Sequence, residues 1–181
     1  SALLVNFWWL IIILMIGFAI GVYVYIRTEQ GRYYYDLLRI KLPVFGPLYQ
    51  RILLTRFSMS LANLLASGVP VTKSLQIAGD IVNNAVYKAL IEKTVVEVES
   101  GNSISSIFIH STVVPPIVSQ MLSVGEETGK LDSILQKLAN FYTQEVETAI
   151  ETLTSLIEPI ILITLGIAAG IMVTGILSPI Y

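Results

Sequence analysis

Along the last third of the chain, apolar residues first recur every three or four positions and then become continuous. The recurring positions, which are typical of a helix with one buried stripe, are Leu131, Leu135, Leu138, Tyr142, Val146, Ala149 and Leu153. No charged residue occurs from Ile160 to Leu177, and about eighteen apolar residues are enough to cross a bilayer. Pro159 lies at the change and predicts either a new helix or a kink in a continuous one. We therefore predict a helix that leaves a soluble bundle near residue 150 and continues into the membrane over residues 151–181.

A second uncharged run lies at the other end of the chain, from Leu3 to Ile26. It predicts a first transmembrane helix over residues 1–27. Each predicted span carries two glycines four positions apart, a spacing that lets helix backbones approach closely: Gly17 and Gly21, then Gly166 and Gly170. These glycines either pack the spans on each other or on a partner, or reflect the general frequency of small residues in membrane helices.

Basic and aromatic residues follow the first run. Between positions 27 and 56 only Glu29 and Asp36 oppose six basic residues, which are Arg27, Arg32, Arg39, Lys41, Arg51 and Arg56. The tyrosines and leucines among them predict an amphipathic juxtamembrane segment over residues 28–47. This segment either lies against anionic headgroups or only fixes the topology. Pro43, Gly46 and Pro47 predict a linker or elbow at its end.

Between residues 48 and 150 the helical spacing is broken into shorter runs, and no convincing stretch alternates as a strand does. Turn residues separate these runs at Ser67-Gly68, Asn83-Asn84, Gly101-Asn102, the loop through His110, and Gly125 to Lys130. Six short helices with brief connections predict a compact bundle. The predicted fold class is therefore all-α, with a six-helix bundle at 48–150 flanked by two transmembrane helices.

The composition fits membrane anchors joined to one soluble module. Hydrophobic residues make up 54% of the 181 residues and charged residues 13%. This composition is too apolar for an ordinary soluble domain and not apolar enough for a polytopic transporter. All eleven basic residues lie between Arg27 and Lys137, so the positive-inside rule predicts a cytosolic central segment with both ends beyond the membrane. The net charge of −2 gives no reason to expect nucleic acid. The opening residues do not resemble a cleavable signal peptide, and we expect the chain to be a fragment of something longer.

The sequence contains no GxxxxGK[ST] phosphate loop, GxSxG nucleophile elbow or HExxH helix. Cysteine is absent and His110 is the single histidine, which excludes thiolate and multi-histidine metal sites. A group of acidic residues forms either a hard-cation site or, as we favour, a solvated face: Glu126, Glu127, Asp132, Glu145, Glu147 and Glu151. We predict no catalytic residue, no metal and no cofactor, so any energised work depends on a partner.

Two other functions fit the pattern less well. A transporter or channel subunit is disfavoured because neither predicted span has an ionisable residue in its middle to mark a pathway. A membrane-bound enzyme acting through its glutamates is disfavoured because no acid and base are paired in a recognisable frame.

Several stretches together carry a resemblance. They are NFWWL at 6–10, KLPVFGPLYQR at 41–51, RFSMSLANLLASGVPVTKSL at 56–75, GEETGKLD at 125–132, FYTQEVE at 141–147 and LIEP at 156–159. With these stretches the chain resembles the type II secretion F family, in which two homologous cytosolic six-helix domains alternate with three membrane spans. The chain resembles the second half of such a protein, and its FY and EVE elements favour the type IV pilus branch over general secretion.

The resemblance implies a non-enzymatic platform in the bacterial inner membrane. Such a platform couples a cytosolic assembly ATPase to the insertion or extraction of a pilin or pseudopilin. Other implied partners are inner-membrane alignment proteins, further copies of the chain in a homo-oligomer, and membrane lipids. The predicted ATPase contact is the turn that carries Glu126, Glu127, Thr128, Gly129 and Lys130.

A separate expectation concerns charges at the predicted cytosolic membrane surface. Arg27 and Arg32 leave the first span at this level, and Glu158 enters the second span there. A charge at that depth is costly unless it is paired or reaches the interface. We therefore predict an interfacial cluster of the three side chains, with Tyr33 as a further candidate, that holds the spans together.

Overall fold

The computed structural model describes residues 8–43 and 45–177, and all regular structure in these residues is helical. The helices are α1 (Trp8–Arg27), α2 (Glu29–Lys41), α3 (Phe45–Ala66), α4 (Val71–Val82), α5 (Ala85–Glu99), α6 (Ile104–Phe108), α7 (Pro116–Thr128), α8 (Leu131–Ser155) and α9 (Ile157–Leu177). The predicted all-α class is confirmed for these residues. The predicted start of the first span at Leu3, the first two residues of NFWWL, and the predicted end of the last domain at residue 181 lie outside them.

The core forms where α3 and α8 pack along each other, with α4, α5, α6 and α7 around them. Leu53, Phe57 and Leu61 of α3 are fully buried, as are Leu135 and Leu138 of α8. The sequence stripe of α8 is therefore the core-facing side of that helix, as its spacing predicts. Burying a side chain of this size stabilises the fold by about 1.5 to 3 kcal/mol relative to leaving it exposed. The stripe becomes more exposed toward Leu153, where α8 leaves the bundle.

The two asparagines predicted to separate two helices have different roles at this boundary. Asn83 ends α4 in the left-handed conformation, with φ 52°, which asparagine tolerates better than most residues. The side-chain oxygen of Asn84 accepts hydrogen bonds from the backbone N–H groups of Val86 and Tyr87, at 3.0 and 3.1 Å, and so caps α5. The predicted boundary is confirmed.

The predicted elbow over residues 43–47 is shorter than expected. Helix α3 begins at Phe45, so Gly46 and Pro47 lie in its first turn instead of in a linker. Proline is tolerated there because the first N–H groups of a helix have no partner within the helix. Gly46 is required for a different reason: a Cβ at this position would overlap the carbonyl oxygen of Ile40 at the end of α2.

Helices α8 and α9 are separated by one residue, Leu156, whose backbone is still right-handed helical (φ −78°, ψ −17°). Pro159 cannot donate to the carbonyl of Ser155 and its ring crowds that oxygen, which explains why the irregularity lies one turn before the proline. Residues 131–173 are long and apolar enough together to cross a membrane, and they are the one such helix in the described part of the chain. Helix α1 is apolar over Ile13–Arg27, a shorter stretch, so the two-span architecture stays a prediction.

Candidate partner-binding surface and membrane junctions

The turn from α7 to α8 is built as a Schellman motif, the hydrogen-bonded helix end that usually requires glycine. The N–H of Lys130 donates to the carbonyl of Gly125 at 3.0 Å, and the N–H of Gly129 donates to that of Glu126 at 3.3 Å. Gly129 has φ 65°, a left-handed conformation that other residues adopt with strain. The predicted helix end and turn at 125–132 is therefore confirmed.

Gly125 has a packing role in the same turn. A Cβ there would come within 3.0 Å of Cδ1 of Leu131 and 3.3 Å of Cβ of Ile134, so a larger residue would push α8 away from α7. Leu131 packs against the core cluster, as predicted for the residue that follows the turn. The turn thus fixes the direction in which α8 starts.

Glu126 is not a free surface carboxylate. Its two side-chain oxygens accept hydrogen bonds from the backbone N–H groups of Ile104 and Ser105 and from the hydroxyl of Ser105, the last at 2.6 Å. These are the first N–H groups of α6, which have no partner within that helix. Glu126 therefore ties the α7–α8 turn to α6, a role that the sequence pattern does not indicate.

The other members of the predicted contact face solvent. Glu127, Thr128, Gly129 and Lys130 are exposed. The Glu127 carboxylate accepts a hydrogen bond from the Ser123 hydroxyl at 2.9 Å, and the Thr128 hydroxyl donates to the carbonyl of Val124 at 2.6 Å. The turn presents one acidic and one basic side chain on a backbone held by the Schellman motif and by Glu126.

The junction between α1 and α2 is a tight corner at Thr28. The Thr28 hydroxyl oxygen accepts a hydrogen bond from the N–H of Gly31 at 3.1 Å and caps α2. Gly31 is buried, and a Cβ on it would overlap the carbonyl oxygen of Tyr25 in the last turn of α1. Glycine at this position lets the two helices meet without a linker.

Asp36 attaches α2 to the bundle and is only 5% exposed. Its carboxylate accepts a hydrogen bond from the backbone N–H of Ala85, the first residue of α5, at 2.8 Å. An anion at a helix N-terminus also interacts favourably with the helix dipole. In the sequence Asp36 is only one of two acids in a basic segment, and the sequence pattern does not indicate this capping role.

A stacked arginine joins α2 to α3. The guanidinium of Arg39 lies 4.1 Å from the ring centre of Tyr49 and 5.6 Å from that of Tyr35. Such contacts between a cation and an aromatic face are worth about 0.5 to 1 kcal/mol at exposed sites. Together with Gly46, this contact fixes the angle at the elbow.

The three residues of the predicted interfacial cluster have other surroundings in the single chain. Arg27 donates to the hydroxyl of Tyr23 at 2.8 Å, and Arg32 donates to the side-chain oxygen of Asn83 at 2.6 Å. Glu158 is exposed, and the ion pairs found within the described ranges join Arg51 to Glu145 and Lys88 to Asp80. The cluster therefore stays a prediction for the assembled state.

The glycine pairs lie on α1 and α9, which do not contact each other: in the described residues α1 packs against α2 and α9 against α8. A Cβ built at Gly17, Gly21 or Gly166 would meet nothing within 4 Å outside its own helix. Packing of these faces against a partner stays a prediction, as does any role of Gly170.

The acidic residues considered above as a hard-cation site are dispersed over several contacts. Glu126 caps α6, and Glu145 lies 3.1 Å from Arg51 of α3. Among the residues that the structure describes, no three histidine, aspartate or glutamate side chains are close enough to hold a metal ion. His110 is exposed in the loop before α7.

The pKa values of three side chains are displaced, and burial raises that of Tyr142 to about 12. Burial raises the pKa of Tyr87, whose hydroxyl donates to the carbonyl of Val113 at 2.8 Å. The hydrogen bond and charge of Asp80, at 2.7 Å, raise the pKa of the exposed Lys88 ammonium. Tyr87 belongs to the core and Lys88 to the surface of α5, and we assign neither a chemical role.

Comparison with known proteins identifies the family. The model of the family described as type II secretion system (T2SS), protein F, matches residues 57–179. The type IV pilus assembly protein PilC of Thermus thermophilus is 40% identical over 158 residues, which are 87% of this chain and 39% of that protein. PilC of Pseudomonas aeruginosa is 32% identical, covering 96% of this chain and 47% of that protein. The type II secretion system protein F of Aeromonas hydrophila is 27% identical, covering 95% and 44%.

The chain spans less than half the length of each of these relatives. The family match extends from within α3 through α9 and includes the α7–α8 turn, most of the core and the apolar helix. The protein therefore belongs to the type II secretion system protein F family.

Proposed function

We propose that this chain is part of a non-enzymatic inner-membrane platform protein of type IV pilus assembly. In this role it transmits the work of a cytosolic assembly ATPase to the insertion or extraction of pilin. The observation that carries the proposal is the rod formed by α8 and α9, which begins in the core at Leu131 and continues as an apolar helix to Val173 with one irregular residue. The family membership and the relatives named as pilus assembly proteins support it.

The proposed topology has two transmembrane helices with the helices α3–α8 between them as a cytosolic six-helix bundle. The basic residues favour this orientation, because all eleven lie between the two apolar ends of the chain. The start of α1 and the end of α9 then lie on the far side of the inner membrane. The glycine pairs of α1 and α9 would pack on pilin, on alignment proteins or on further copies of the chain.

The proposed ATPase contact is the exposed part of the α7–α8 turn, with Glu127 and Lys130 as contacting side chains. Glu126 and Gly129 support this contact by holding the backbone of the turn. Glu126 caps α6, and Gly129 adopts the left-handed conformation that ends α7. A push on this turn acts at the start of α8, and the buried face of α8 carries it through the bundle toward α9.

A platform protein of type II secretion is the second candidate. The observation that favours it is the similarity to type II secretion system protein F of Aeromonas hydrophila over 95% of this chain. The pilus assignment is preferred because the Thermus thermophilus relative is more similar, at 40% identity against 27%.

Site-specific photocrosslinking in cells tests the proposal. A photoreactive residue at Lys130 is expected to capture an assembly ATPase. The same residue at Lys73, an exposed lysine in the first turn of α4, is the matched control and is expected to capture none. The docking proposal is wrong if neither Glu127 nor Lys130 captures an ATPase while the protein is folded and in the membrane. Capture of a secretion ATPase, with pseudopilin in place of pilin, would favour the second candidate.

A further inference from the structure

The outward side of α2 carries an apolar surface that the proposed function does not use. Tyr34 and Leu38 are 63% and 61% exposed, Leu42 at the end of the helix is 41% exposed, and Phe45 at the start of α3 is 61% exposed. The first three lie one turn apart and share one side of the helix, since residues three or four apart are neighbours on a helix. We call these four residues the outer face of α2.

The outer face points toward the end of α1. Gly31, one turn before Tyr34 and on the same side, lies directly against the Tyr25 carbonyl of α1. The opposite side of α2 belongs to the bundle, because Asp36 bonds to Ala85 and Ile40 packs against the core. The first turn of α2 therefore meets the last turn of α1 on this side, and the opposite side of α2 packs on the bundle.

The rod formed by α8 and α9 leaves the bundle close to the elbow between α2 and α3. Pro47 and Leu48 in the first turn of α3 line one groove with Thr152 and Leu153 at the end of α8. Phe45 precedes Pro47 of this groove by two residues and begins α3, four positions after the last residue of α2. The start of α3 and the end of α8 thus lie together at one end of α2, the end of α1 lies at the other end, and the outer face of α2 runs between them.

The charges around the outer face are mostly positive. Arg27, Arg32, Arg39 and Lys41 are exposed on or beside α2. Two acids lie on α2. The Asp36 carboxylate is buried and hydrogen-bonded to the N–H of Ala85, so Glu29 is the exposed acid. An exposed apolar strip with flanking basic residues has the composition of a helix that lies in a membrane interface.

We infer that the outer face of α2 docks onto the cytosolic headgroup layer of the bilayer and binds anionic phospholipid there. Tyrosine suits this depth because it has an apolar ring and a polar tip. Lys41 and Arg27 are exposed at the two ends of α2, where phosphate groups attract cations. The inference rests on the proposed topology, and it adds a lipid-binding surface that orients the bundle against the membrane independently of the ATPase contact.

Site-directed fluorescence in vesicles tests this inference, and the absence of cysteine makes single labels simple. The whole chain carrying Leu38→Cys with a fluorescent label is reconstituted in phosphatidylcholine vesicles with and without phosphatidylglycerol. Quenching by brominated lipid is compared with quenching by aqueous iodide. Ile109→Cys is the matched control, since Ile109 is also exposed and apolar but follows α6 at the other end of α8. Ile167→Cys in α9 reports on membrane insertion.

The label at residue 38 is expected to be quenched by brominated lipid severalfold more strongly than the label at residue 109, and more in the presence of phosphatidylglycerol. Lys41→Gln is expected to raise severalfold the fraction of phosphatidylglycerol needed for half-maximal quenching. Lipid quenching at residue 167 with only iodide quenching at residue 38 would overturn this inference alone. Equal quenching with and without phosphatidylglycerol would overturn the anionic preference. Loss of lipid quenching at residue 167 would overturn the proposed topology itself.

Discussion

The carboxylate of Asp36 accepts a hydrogen bond from the backbone N–H of Ala85 at 2.8 Å, joining α2 to the first turn of α5. The two residues are 49 positions apart, and the bond is shielded because Asp36 is only 5% exposed. It connects the segment that follows α1 to the bundle. The bond therefore links the bundle to α1 through α2, besides the link from the bundle to α9 through α8.

Removing this cap is expected to loosen α2 without unfolding the core. Asp36→Ala should lower the free energy of unfolding by about 1 to 3 kcal/mol, because a helix cap and a charge-assisted hydrogen bond are both lost. Asp36→Asn keeps an acceptor and should lose less. The measurement is thermal unfolding in detergent. Asp80→Ala is the control, since its ion pair with Lys88 is exposed and pairs of this kind contribute little. Equal effects at the two aspartates would contradict the capping role.

The elbow between α2 and α3 is expected to be intolerant of any side chain at residue 46. Gly46→Ala should destabilise the protein by about 1 to 3 kcal/mol, the range for an overpacked site, because the new Cβ overlaps the Ile40 carbonyl. Gly21→Ala is the matched control, since its Cβ meets nothing within 4 Å in this chain. The measurement is the unfolding temperature together with protease cleavage near residue 43. An unchanged Gly46→Ala protein would show that the close approach is not required.

Neighbouring glutamates in the α7–α8 turn are expected to behave differently. Glu126→Ala should lower the free energy of unfolding by about 1 to 3 kcal/mol, since it leaves the first N–H groups of α6 without their acceptor. Glu127→Ala should leave stability unchanged and weaken crosslinking of an ATPase from Lys130. Stability is measured by thermal unfolding and docking by crosslinking yield. The division of roles fails if Glu126→Ala is as stable as the parent protein, or if Glu127→Ala unfolds.

Tyr87 is expected to make stability depend on alkaline pH. The pKa of Tyr87 in the folded protein is raised above the usual value for a tyrosine, because ionisation would place a charge in the core. The unfolded chain therefore releases the Tyr87 hydroxyl proton at a lower pH than the folded protein does. The stabilising contribution of the neutral phenol is therefore complete below about pH 10 and is lost as pH rises beyond it. Tyr87→Phe should lose less stability than the parent protein between about pH 10 and pH 12, as measured by denaturant unfolding.

The buried stripe of α8 and the boundary at Asn83-Asn84 were predictable because both depend on local rules. Residues three or four apart share a helix side, and asparagine tolerates the left-handed conformation and caps helices. The capping roles of Asp36 and Glu126 were not predictable, because their partners lie 49 and 22 residues away and meet them only through tertiary packing. The elbow was predicted to extend too far, to Pro47, because proline indicates a helix boundary without saying on which side of it the helix lies.

The proposed function requires that the bundle and α9 be joined by one stiff rod. The chain lacks cysteine, so spin labels can be placed at Asn140→Cys in α8 and Ile167→Cys in α9, both exposed. At 1.5 Å per residue, a continuous helix separates these positions by about 40 Å. The interlabel distance distribution, measured by pulsed electron spin resonance in lipid, is predicted to have one narrow peak near this value. A broad distribution extending to much shorter distances would mean a flexible joint at residues 155–159 and would contradict the account.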